Sequence, residues 1–131
     1  MRTSVLSDVV VAIATIVLSS ATVALQRGSV EQTVMIHFDY GNTDWAPFFA
    51  FEKTLSAAID SSGEGDYDGN ELAVDGSDGT LYIYGLSADK VFAVAQPLLK
   101  SCALLKHVTV TLVYGKLGDT NVPRKSFALG S

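Results

Sequence analysis

The chain has 131 residues, a mass of 13.9 kDa and 48% hydrophobic residues, enough to bury a core without disulfides or metal and too apolar for a disordered acidic tail. Lys and Arg number 9 against 14 Asp and Glu, giving a net charge of −5 and a pI of about 4.7, which argues against a nucleic-acid partner held by phosphate contacts. The single cysteine, Cys102, excludes an internal disulfide framework and a cysteine-rich zinc site.

Residues 9–25 form an uncharged apolar run. As a helix it spans roughly 25 Å, slightly short of a bilayer's hydrocarbon core. At helical spacing, Asp8, Ala12, Thr15, Ser19, Thr22 and Gln26 make one polar or small stripe on an apolar cylinder. Four readings stay open for residues 1–33, taken as an apolar segment and linker. They are a signal peptide, a membrane anchor, a helix packed on protein, or an artefact ahead of a biological start at Met35. The first two expect an exported or membrane-anchored chain with a membrane contact through residues 9–25; the last expects a cytoplasmic one.

Residues 34–131 read as one domain. Val34, Ile36, Phe38 and Tyr40 alternate with Met35, His37 and Asp39, a strand stopped at Gly41 and Asn42. Asp44 is placed to cap a helix, Pro47 is tolerated in its first turn, and Gly63 ends it. Phe48, Phe51, Leu55, Ala58 and Ile59 give that helix a buried stripe, and Trp45 anchors its start in the core. Residues 64–71 read as a Gly- and acid-rich loop. A short strand over Asn70–Val74, a turn over Asp75–Gly79 and a strand over Thr80–Tyr84 make a hairpin. Ser87 caps a second helix with Asp89 in its first turn. Its apolar face carries Val91, Phe92, Ala95, Leu98, Leu99, Cys102 and Leu105, and Pro97 predicts a kink or break near Ala95–Leu98. His107–Tyr114 is a further strand, and Phe127–Leu129 adds a short edge strand after Arg124 and Lys125.

The order strand, helix, strand, strand, helix, strand predicts an α+β fold, the ferredoxin-like βαββαβ sandwich, with two helices on one face of an antiparallel sheet. Right-handed crossovers place the first and third strands in its centre.

Gly65–Glu71, then Asp75-Gly76, then Asp78–Gly85 resemble a group of short uncharacterised bacterial proteins. In these a G-(D/E)-(F/Y)-D-G run precedes an LY-YG strand and an alanine-rich helix. The closing Val108–Gly115 is similar as well, so the likeness covers residues 34–116. That group has no established activity, so the resemblance implies a compact domain and no catalytic residues.

Between Asp60 and Asp78 lie seven of the chain's fourteen acids, with no Lys or Arg among them. Asp66, Asp68 and Asn70 offer oxygens at alternate positions, but the EF-hand pattern fails where it needs Gly and a closing Glu. The acids fit a basic partner surface or a solvated loop. Tyr82 and Tyr84 alternate with Leu81 and Ile83. If the aliphatic pair meets the helices, both tyrosines lie on the open sheet face, where Tyr67 and His37 extend an aromatic platform. His37 and His107 show no spacing to a nucleophile, Cys102 reads as a small buried hydrophobe, and glycine loops lined with acids repel phosphate. The reading is a small acidic binding or regulatory protein, immunity- or antitoxin-like by analogy, rather than an enzyme. Its partner is a protein or a second copy on the open face. The partner-binding residues are Tyr82, Tyr84, Tyr67, Asp66, Asp68 and Glu71; no catalytic residue, metal, cofactor or nucleic acid is expected. Two alternatives stand: a small metal-assisted enzyme using loop 60–78, and a membrane-anchored or exported accessory domain.

Overall fold

The computed structural model describes residues 31–130, so the four readings of the N-terminal segment lie outside the described residues. No helix among those described is long and apolar enough to cross a membrane. In chain order the elements are β1 (Gln32–Asp39), α1 (Ala46–Ser62), β2 (Gly65–Leu72), β3 (Asp78–Gly85), α2 (Ala88–Ser101), β4 (Lys106–Val113) and β5 (Arg124–Ala128). The fold is α+β. Its five strands run in the order β2-β3-β1-β4-β5 with every neighbouring pair antiparallel, consistent with a ferredoxin-like sandwich carrying β5 as an added edge.

Alternation decides which side of the sheet is covered. Val34, Ile36 and Phe38 of β1, Leu81 and Ile83 of β3, and Val110 and Leu112 of β4 are buried against Phe48, Leu55 and Ile59 of α1 and Val91, Ala95 and Leu99 of α2. At one end, Trp45 stacks on Tyr40 with centroids 4.2 Å apart, and Phe48 stacks on Phe38 at 5.3 Å. The Asp44 carboxylate accepts the Ala46 N–H at 3.0 Å, while Trp45 occupies the N-cap position itself. Ser87 caps α2 by accepting the Lys90 N–H at 3.2 Å, as its sequence position implies. Gln32 adds a second cap from far along the chain: its side-chain oxygen accepts the Ala88 N–H at 2.8 Å.

Four expectations need correction. Residues 65–72 are a full strand, not a loop followed by a short strand, and β3 already begins at Asp78. Pairing to β3 overrides the poor strand propensity of Gly and Asp. The central strand begins at Gln32, so Gln32 and Thr33 are strand and not linker. Helix α2 runs unbroken through Pro97. Val91, Ala95 and Leu99 are buried on either side of the proline, whereas Ala93, whose carbonyl loses its bond to residue 97, is exposed to water. Cys102 packs against the core as expected but is only half-buried, and it caps the end of α2 instead of lying within it.

Candidate functional site

The face of the sheet away from the helices is built in rows set by register. At one end Asp66 of β2 lies beside Tyr84 of β3, then Thr33 of β1 and Val113 of β4. The next row holds Tyr82, Met35 and Thr111; the third holds Glu71, Thr80, His37 and Thr109. Leu81 and Ile83 do meet the helices, which leaves Tyr82 and Tyr84 partly exposed on the open side.

A β-bulge in β2 decides where its side chains go. Asp68 and Gly69 together oppose Tyr82, and Gly69 takes a φ of 125°, a conformation natural to glycine. The extra residue resets the alternation. Asp66, Asp68 and Glu71 therefore share the open face with the tyrosines, whereas Tyr67, Asn70 and Leu72 turn to the helix side. Tyr67 accordingly does not join Tyr82 and Tyr84 in one platform, a correction that follows from its pairing opposite Ile83. Its hydroxyl and the Asn70 amide instead donate to one carboxylate oxygen of Glu52 on α1, anchoring β2 to the helix layer. Burial, followed by the hydrogen bond to Glu52, holds the Tyr67 phenol well above its ordinary range.

Carboxylates also tune the open face. The Tyr82 hydroxyl donates to Glu71, and that bond, with burial second, pushes its phenol up to about 12. Tyr84 is raised by burial and then by the charges of Asp68 and Glu31. Asp68, Glu71, Tyr82 and Tyr84 line one open depression together with Leu117 from the segment linking β4 to β5. A second depression, at the end of the sheet, is lined by Glu31, Asp60, Glu64 and Asp66. The acids of residues 60–78 thus spread over a sheet end, a sheet face and a hairpin turn. Among the described residues no three Asp, Glu, His or Cys side chains are grouped to hold a metal ion.

Both histidines, unassigned by spacing, lie on the same open face. His37 Nε2 is 3.0 Å from Asp78 and His107 Nδ1 is 2.9 Å from Asp39. Asp39 and Asp78 are direct cross-strand partners, so the two imidazoles flank a pair of like charges. His107 has a φ of 50°, in a region histidine tolerates better than most residues. These partners are 41 and 68 residues apart in the chain, which is why no local motif announces them.

No family model, curated protein or solved structure matches the chain.

Proposed function

We propose that the chain is a non-enzymatic, ferredoxin-like recognition domain that binds another protein through Tyr82 and Tyr84 with Asp66, Asp68 and Glu71. The observation that carries this reading is the placement of two half-exposed tyrosines on the face that, among the described residues, carries no helix, directly beside the acids of β2. Aromatic rings with a polar tip supply contact area at low cost in rotamer freedom, and a rim in which the acids of β2 outnumber the neighbouring Lys116 selects the partner. The run from residue 54 to residue 89 holds no Lys or Arg, so the β2–β3 edge of the sheet suits a basic protein surface. Spreading of the acids favours recognition over the metal-assisted alternative, because catalysis of that kind needs ligands that converge.

The test is capture from the source cell with the full chain as bait, in parallel with Y82S/Y84S, D66N/D68N/E71Q and a control, V74S, on the hairpin tip. A protein held by the parent and the control but lost from both surface variants is the expected result. An identical set on all four baits would overturn the reading.

A further inference from the structure

We propose that β2 docks an extended basic segment of the partner by strand addition, its successive side chains entering depressions on the two faces of the sheet. This rests on the recognition reading above and specifies the mode of binding and the chemistry of the partner.

The primary feature is backbone. Strand β2 pairs with β3 on one side and, among the described residues, has no strand on the other. Alternate N–H and C=O groups along an edge of this kind point outward and form a template for another strand. The second feature is what flanks that edge. On the open face lies the depression of Asp68, Glu71, Tyr82 and Tyr84. On the helix face, Phe49, Glu52, Asp60 and Tyr67 line another between α1 and β2, with Phe49 50% exposed. Side chains of an added strand alternate between faces, so neighbouring residues reach one depression and then the other. Both combine carboxylates with aromatic rings, a pairing that suits an ammonium or guanidinium group. The Glu52 carboxylate is already oriented by Tyr67 and Asn70. Lys53 also lines the helix-side depression, where the two carboxylates of Glu52 and Asp60 outnumber it.

Charge selects among strands. A second copy offering its own β2 would set Asp66, Asp68 and Glu71 against the same acids, which disfavours that pairing. A strand bearing Lys or Arg at both parities meets acids on both faces.

The probe is a blocked, fluorescently labelled heptapeptide, Val-Lys-Lys-Val-Lys-Lys-Val, titrated with the full chain and read by anisotropy. A matched peptide methylated on every backbone nitrogen keeps the charge and removes the strand's donors. The proposal expects the parent peptide to bind and methylation to weaken it by roughly tenfold or more, because main-chain hydrogen bonds give such docking its affinity. D66N/D68N/E71Q and D60N should each weaken binding severalfold, and E52Q should follow D60N. Equal binding of the two peptides would overturn strand addition while leaving recognition by the open face standing, since charge alone would then suffice. Absence of binding by either peptide, or indifference to D60N and E52Q together, would overturn it as well. So would self-association of the chain that the peptide fails to compete with, which would assign the edge to a second copy's β5. Loss of capture selectivity in the tyrosine variants tests the underlying reading separately.

Discussion

Tyr82 and Leu81 are neighbours in sequence and occupy opposite sides of one strand, which makes them a sharp pair for mutation. Leu81 is 0% exposed within the core, so Leu81→Ala removes buried methyl groups and leaves a cavity, at a cost of roughly 2–5 kcal/mol. The double change Y82S/Y84S removes partly exposed rings and should cost less than Leu81→Ala in chemical denaturation; the reverse order would return the tyrosines to the core. The Tyr82–Glu71 bond gives a second prediction at this scale. The phenol is raised from 10.0 to about 12, so the folded chain favours its neutral form. Its contribution to stability is fully present below pH 10 and fades as pH climbs through 12. Ultraviolet titration of phenolate should show this tyrosine ionising late, and Glu71→Gln should bring it back toward the ordinary range by weakening the hydrogen bond to the carboxylate and removing its charge. The alternation of residues 80–84 makes the outward placement of Tyr82 legible in sequence. Its partner Glu71 is not legible, because the bulge at Gly69 resets which residues of β2 share that face.

Elements with a clean period are the ones that sequence reveals. Strand β1 alternates from Val34 onward, α1 repeats Phe48, Leu55 and Ile59 at helical spacing, and Ser87 caps α2 where its position implies. Strand β2 has no such signal. Its glycines and acids carry loop propensity, and only pairing to β3 with anchoring of Tyr67 and Asn70 on Glu52 makes it a strand. Pro97 misleads in the opposite sense, since a local rule predicts a break that burial on both sides of the proline prevents. Because Pro97 is exposed and costs one helical hydrogen bond, Pro97→Ala should raise stability by about 1–3 kcal/mol, the interior penalty less the gain in chain entropy on unfolding. A fall in melting temperature for this variant would mean that the ring makes a contact the helix needs.

At the scale of the whole molecule, the central strand sets where a self-sufficient fold begins. Thr33 and Val34 are both 0% exposed, and Gln32 caps α2, so a chain starting at Met35 lacks three residues that hold the middle of the sheet and the head of a helix. A version starting at Glu31 should unfold cooperatively in a thermal melt, whereas one starting at Met35 should melt at a clearly lower temperature; equal melting would show that these contacts contribute little. The division of labour between the two sheet faces is the larger claim. The helix side holds most of the core, Thr33 and Val113 are buried at one end of the other side, and the Tyr82–Tyr84 region with the β2 edge is the proposed recognition surface. Hydrogen–deuterium exchange of the full chain, alone and bound to the partner recovered by capture, tests this most directly. Docking on this edge should add protection over residues 65–72 and 78–85, with the exposed faces of α1 beyond Phe49–Asp60 and of α2 unchanged. Protection confined to α2 and the hairpin tip around Val74, with β2 and β3 exchanging as in the free chain, would contradict it.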